Sequence, residues 1–160
     1  IVSHPQVKFV KDSSGDPTRA QTYLSIRTRR SDLVLMSGNE FKIMDYLNLG
    51  YDGLLLGGAV ISSRHVRAIT AAFLAGDLPA AQAANQSQQA MLRTVYGGPG
   101  IPCWLSGLKY LLVRLGVFSS TANHPGYDLT PECRLAIDRL LDAPDARFLA
   151  ASPGIGQPTP

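Results

Sequence analysis

The chain has 160 residues, 45% of them hydrophobic and 17% charged, with a formal net charge of +3. That length supports one domain with a real core, and that balance is too apolar for a disordered chain and ordinary for an enzyme. No apolar run approaches the ~20 residues that span a bilayer, and the bases are scattered apart from Arg27, Arg29 and Arg30, a cluster without aromatic interleaving that reads as a solvated helix end rather than a nucleic-acid surface.

The opening Ile1-Val2-Ser3-His4-Pro5 reads as the tail of a helix and a loop, so the chain is expected to enter an architecture already under way. The first strand is predicted at 7–10. It delivers Lys11 into the segment Asp12-Ser13-Ser14-Gly15-Asp16. A lysine at the end of an apolar strand can have its stem buried. Burial disfavours the ammonium and frees the amine to attack a carbonyl. Asp16 suits a helix cap and Pro17 the first helical position, so a helix is predicted over 18–28. The second strand, 33–36, is a short, wholly apolar run of the kind buried in parallel sheets. Ser37-Gly38-Asn39-Glu40 then turns the chain into a helix over 40–47. The third strand, 54–56, is entered through Asp52-Gly53 and left through Gly57-Gly58. Strands alternating with helices in this way imply βα units and a parallel sheet.

After the third strand only helices are predicted. Ser62 or Ser63 can cap one that runs to Ala75. Asp77 and Pro79 open the next, 80–96. The run Gly97-Gly98-Pro99-Gly100 breaks it. A further helix, 102–115, carries Trp104, Leu108, Leu111, Leu112 and Leu115 at helical spacing. Thr130-Pro131-Glu132 starts the last one, to Leu141. The Pro- and Gly-rich stretch at the end is expected to be disordered. Cys103 and Cys133 lack metal-ligand spacing, and His4, His65 and His124 are dispersed. The thiols are therefore expected to be reduced and in the core, with no metal and no cofactor. With no leader segment visible, a cytoplasmic setting is expected.

Five pieces occur in register: Lys11 to Asp16, Leu35-Met36-Ser37-Gly38-Asn39-Glu40, Leu49-Gly50-Tyr51-Asp52-Gly53-Leu54, Ala75-Gly76-Asp77, and Ile101-Pro102 before a long helix. Together they resemble the dihydrodipicolinate synthase and N-acetylneuraminate lyase superfamily. The resemblance implies an α/β fold, a (β/α)8 barrel with a helical C-terminal extension, assembled as a homotetramer. A barrel of that kind takes roughly 250 residues. This chain therefore resembles the C-terminal half: strands six to eight in 1–61, the final barrel helix and a helical bundle in 62–145, and a tail over 146–160.

The resemblance further implies a metal-free lyase that forms a Schiff base between lysine and pyruvate or another 2-keto acid, with Lys11 as the nucleophile. Gly38 and Asn39 would border the substrate. Glu40 would receive hydroxyls of a longer sugar acid, or else favour a helix N-terminus electrostatically. Leu55 would wall the imine, and Gly57 would leave open space. The expected partner is a small 2-keto acid, with neither nucleic acid nor membrane. Phe41 and Gly57 stand where sialic acid lyases carry an acidic residue and a hydroxyl, which argues against that substrate class. Lys11-Asp12-Ser13-Ser14-Gly15 differs from the Lys-Glu-Ala-Thr-Gly more usual in the synthases and leans toward aldolases and dehydratases of 2-keto-3-deoxy sugar acids. The competing reading is a non-catalytic half-barrel or assembly module, because the family's Thr-Thr motif and proton-relay tyrosines belong to the half not seen here.

Overall fold

The computed structural model describes residues 2–123 and 126–143. His124 and the tail expected over 146–160 lie outside the described residues. Among those described, the chain order is β1 (Phe9–Asp12), α1 (Pro17–Arg27), β2 (Val34–Ser37), α2 (Ile43–Asn48), β3 (Gly53–Leu54), α3 (Ala59–Leu74), α4 (Leu78–Val95), α5 (Trp104–Arg114) and α6 (Pro131–Asp142). The chain forms two compact units. One holds residues 1–60 and 66–85, the other 61–65 and the residues from Gln86 onward.

In the first unit the three strands lie in the order β1-β2-β3, all parallel, as the strand–helix alternation predicts. Register pairs Lys11 with Met36 and Asp12 with Ser37, then Met36 with Gly53 and Ser37 with Leu54. A pleated strand sends alternate side chains to opposite faces. Val10 and Asp12 of β1 and Leu35 and Ser37 of β2 are accordingly buried on one face. There Val10 and Leu35 pack with Ala20, Leu33, Tyr46 and Tyr51. A second cluster forms around Ile43, Leu56 and Ile69. Fully burying an aliphatic side chain of this size stabilises the fold by about 1.5–3 kcal/mol. β3 is only two residues long and gains support from Asp52. Its amide donates to the Leu35 carbonyl (2.9 Å), and its Oδ2 accepts from the Leu35 amide (2.8 Å) and from Arg27 (3.1 Å).

Helix starts follow their local chemistry. Asp16 Oδ1 accepts the Thr18 amide at 2.8 Å, with Pro17 in the first helical position. Such a cap is worth about 1 kcal/mol. Asp77 Oδ1 takes the Ala80 amide in the same way at the start of α4. Ser62, one of the two residues read as a cap, is buried with non-helical backbone (φ −116°, ψ 15°) at a kink inside α3, between a first turn from Ala59 and the helical stretch that runs on to Leu74. The helix predicted from Glu40 begins only at Ile43, after a turn.

The arginine cluster is structural. Arg27 binds the Gly50 carbonyl (2.7 Å) and Asp52, and Arg30 donates to the carbonyls of Val2, His4 and Val7 and pairs with Asp32. These contacts fix the segment leading into β1.

In the second unit Thr130 Oγ1 accepts the Cys133 amide (3.2 Å), with Pro131 next, and so caps α6 as the sequence predicts. Cys103 and Cys133 are buried free thiols. Burial, reinforced by the neighbouring Cys103, pushes the Cys133 thiol up to about 12.

Candidate active site

β1 continues two residues past the predicted strand end, so Lys11 lies within it and Asp12 closes it. The pleat then assigns the two neighbours opposite work. Asp12 is 3% exposed on the helix-covered face, while Lys11 is exposed on the other face with Phe9. Val34 and Met36 share the Lys11 face by register, and Leu55 follows β3 onto it. Phe9, Val34 and Leu55 are 48%, 40% and 48% exposed. The enclosure expected for the Lys11 stem is therefore not formed by the described residues: this face carries apolar side chains with nothing over them.

Each of the other three lysines is engaged. Lys8 pairs with Asp32, Lys42 donates to the Gly15 carbonyl, and Lys109 donates to the Ala122 carbonyl. Among the described residues only the Lys11 amine has no partner. Its stem lies over Gly38, the residue after β2, where a Cβ would stand 2.3 Å from Lys11 Cε and 2.0 Å from Ser13 Oγ. Real Cβ atoms do not approach so closely, so the missing side chain is the space that Lys11 occupies. The Gly38 amide donates to the Asp12 carbonyl (2.7 Å) and holds the two strand ends together.

The loop after Lys11 is fixed from below. Asp12 Oδ1 accepts the Ser14 amide (2.9 Å) and hydroxyl (2.6 Å), an Asx turn. Asp12 Oδ2 accepts the phenol of Tyr46 (3.2 Å) and lies 3.4 Å from that of Tyr51, which also donates to it. The two rings meet edge to face at 4.7 Å. Burial pulls the Asp12 carboxyl upward, but the Ser14 and Tyr46 hydrogen bonds and the Arg19 charge outweigh it and hold Asp12 below its ordinary value. Burial and the Asp12 charge raise both phenols. Asp12 is thus an anion held by neutral tyrosines. Gly15 (φ 67°) is gripped at both ends, its amide donating to Tyr46 Oη (3.1 Å) and its carbonyl accepting Lys42 Nζ (2.9 Å). Asn39 Nδ2 fills the place a Gly15 Cβ would need, 2.7 Å away.

Of the other predicted site residues, Gly38 and Asn39 lie beside the Lys11 loop, and the Asn39 side chain also accepts the Phe41 amide (3.1 Å). Glu40 is buried and its Oε2 accepts the Gly58 amide at 2.6 Å, at the head of α3. Leu55 is on the Lys11 face, and Gly57 is exposed with open space around it. Sequence reasoning missed Asp12, Ser13, Tyr46 and Tyr51. The Asp12-Ser13-Ser14 run is itself an Asx-turn signal, but nothing local marks the two tyrosines, which lie 34 and 39 residues from Asp12 in the chain. Among the described residues no three His, Cys, Asp or Glu side chains are grouped to hold a metal ion, and no helix is long and apolar enough to cross a membrane.

Residues 1–144 match the model of the dihydrodipicolinate synthetase family. A 4-hydroxy-tetrahydrodipicolinate synthase of Haloarcula marismortui is 28% identical over 96 residues, which is 60% of this chain and 31% of that protein. The solved dihydrodipicolinate synthase of Bacteroides thetaiotaomicron superposes with a TM-score of 0.75 at 23% identity, covering 88% of this chain and 48% of that one. N-acetylneuraminate lyase of Mycoplasma synoviae gives a TM-score of 0.65 at 16% identity, over 82% of this chain and 43% of that one. The α/β fold is thus shared with part of both kinds of enzyme, and the chain spans about half the length of the solved structures it matches.

Proposed function

The chain belongs to the dihydrodipicolinate synthetase family, and on that premise we propose that it carries the Schiff-base portion of a class I lyase acting on pyruvate or a related 2-keto acid. In this reading β1, β2 and β3 are strands six to eight of a (β/α)8 barrel, and the uncovered Lys11 face lines its interior. The observation that carries it is the uncommitted amine of Lys11, at the C-terminal end of a parallel strand with its stem seated over Gly38. Barrel enzymes keep their chemistry at that end of the strands.

The amine attacks C2 of the keto acid and water leaves, giving a protonated imine. That group accepts the electron pair when the C3–C4 bond breaks, and the resulting enamine takes a proton at C3 before hydrolysis frees Lys11. Run in reverse, the enamine attacks a second carbonyl. Leu55 and Gly57 border the substrate beside Gly38 and Asn39, the enzyme works as a homotetramer in the cytoplasm, and a 2-keto-3-deoxy sugar acid is the preferred class over a sialic acid.

The test is borohydride reduction of the native-length protein with pyruvate, followed by peptide mass spectrometry. A reduced pyruvyl adduct on Lys11 is expected, and Lys11→Arg abolishes both adduct and turnover because a guanidinium stays protonated. An adduct on Lys8 or Lys42, or turnover by the Arg variant, overturns the assignment. The second reading, a non-catalytic assembly module, is favoured by the uncovered Phe9, Val34 and Leu55. It is adopted if no lysine is labelled.

A further inference from the structure

Asn39, Lys42 and Tyr46 stand three and four residues apart through the turn that leads into α2. The Asn39 carbonyl accepts the Lys42 amide and the Lys42 carbonyl the Tyr46 amide, both at 3.2 Å, so the three follow one another along one side. All three meet a single residue of the Lys11 loop. Asn39 Nδ2 fills the place of a Gly15 Cβ, Lys42 Nζ donates to the Gly15 carbonyl (2.9 Å), and Tyr46 Oη accepts the Gly15 amide (3.1 Å). The φ of 67° at Gly15 is one that other residues rarely adopt. The Tyr46 hydroxyl also donates to Asp12 Oδ2 (3.2 Å), so one oxygen ties both ends of the segment 12–15. Between those ends stands Ser13, whose Oγ crowds the same point over Gly38 as Lys11 Cε. Tyr51 makes the contrast. It donates to the same Asp12 oxygen (3.4 Å), and among the described residues it bonds no other part of the loop.

We infer that Tyr46 and Lys42 are positioning residues for imine formation: a clamp on Gly15 that holds the loop against the Lys11 stem and keeps the amine aimed at the substrate carbonyl. This rests on the Schiff-base reading of Lys11. Neither side chain touches the amine, and neither makes or breaks a bond. Their part is to restrict the stem. With the loop released, Ser13 leaves the space over Gly38, the stem spreads among its rotamers, and fewer encounters present the nitrogen to C2. Tyr46 acts from a buried place, through one hydroxyl that both donates and accepts. Lys42 acts from the exposed side, on the opposite end of the same glycine. A phenylalanine at position 46 keeps the edge-to-face ring contact with Tyr51 but loses both bonds at once.

The experiment follows imine formation in the native-length protein by quenching with borohydride at successive times after adding pyruvate at several concentrations. Tyr46→Phe is expected to lower the rate constant at saturating pyruvate about 10- to 100-fold, the scale of loss when a reacting group is displaced by up to ~1 Å. The half-saturating pyruvate concentration stays the same, because the clamp does not bind substrate. Tyr51→Phe, which takes a phenol from the same carboxylate oxygen without releasing Gly15, is expected to slow the step far less. Lys42→Met, at an exposed position that does not threaten folding, is expected to slow it about 3- to 10-fold, the worth of one hydrogen bond. Equal slowing by Tyr46→Phe and Tyr51→Phe overturns the clamp, since the carboxylate and not Gly15 then decides. So does a Tyr46→Phe protein that labels to a lower final extent at an undiminished rate, which is the mark of lost folding alone. An unchanged rate in Lys42→Met overturns it even if Tyr46→Phe does not fold. In each of these cases labelling of Lys11 in the unsubstituted protein leaves the Schiff-base reading intact. Absence of that label overturns the Schiff-base reading and the clamp together.

Discussion

Gly38 lies directly beneath the stem of Lys11, so close that a Cβ there would stand 2.3 Å from Lys11 Cε. The neighbours it would meet are flexible side-chain ends, so the fold can yield where the amine cannot. Gly38→Ala is expected to change the melting temperature little but to cut Lys11 labelling and turnover about 100-fold, the cost of displacing a reacting group by roughly 1 Å. Thermal melting beside borohydride labelling checks both halves. Normal labelling would show that Lys11 does not need this space.

Asp12 is expected to matter most for stability. Asp12→Ala removes the acceptor for Ser14, Tyr46 and Tyr51, and hydrogen bonds to a buried charge are worth about 1.5–3 kcal/mol each in net terms. Urea unfolding should therefore show a loss of at least ~2 kcal/mol. The folded carboxyl titrates below its ordinary 3.8, so its contribution is complete above that pH and is lost as pH falls through the folded value. Stability should be insensitive to Asp12 between pH 5 and 7, at roughly the values where carboxylates are fully ionised. A steep loss near pH 6 would contradict the sign of the shift.

Cys133 gives the opposite pH dependence. Its unfolded thiol ionises near 9.0 and its folded thiol only near 12. Being neutral in the fold, it favours folding fully below pH 9.0, and stability declines as pH rises above that. Cys133→Ser should flatten this alkaline limb in denaturation curves. In the folded protein Ellman's reagent should react slowly with both thiols.

Glu40 separates a structural from a substrate role. Its carboxylate already accepts the Gly58 amide, so Glu40→Ala is expected to lower stability by about 1–3 kcal/mol and leave Lys11 labelling by pyruvate unchanged. Glu40→Gln, which keeps an acceptor oxygen, should recover much of that stability. An increase in KM for hydroxylated keto acids at undiminished stability would instead place Glu40 on the substrate.

The sheet face bearing Phe9, Val34 and Leu55 should make the 160-residue chain self-associate when it is produced by itself, since contiguous exposed apolar surface seeks a cover. Sedimentation and dye binding are the checks. Phe9→Ser with Leu55→Ser should reduce both without lowering the melting temperature. A monodisperse monomer that binds no dye would refute this.

Much of this was legible in the residues. Parallel adjacent strands, the caps at Asp16, Asp77 and Thr130, and the family were all readable from local chemistry and spacing. The misplacements share one cause: a polar residue used far from its own segment. β1 reaches Asp12 because two tyrosines 34 and 39 residues away bury it. α2 starts late, after a turn in which Glu40 bonds an amide 18 residues on. The enclosure of Lys11 is a different case: a strand's pattern shows which residues would be covered, and the described residues do not supply the cover.

Asp52 touches neither Lys11 nor its loop, yet it decides what they face. By gripping the Leu35 backbone twice, it locks β3 against β2 at one offset. Slippage by a single residue would turn Leu55 away from Lys11 and exchange the lining of one side for the packing of the other. Arg27 holds the same carboxylate, so the pair forms a unit of inheritance. Recombination that moves this segment into another protein should carry Arg27 and Asp52 together. A crossover between them would separate a lock from its keeper and turn Leu55 away from Lys11 without altering either residue.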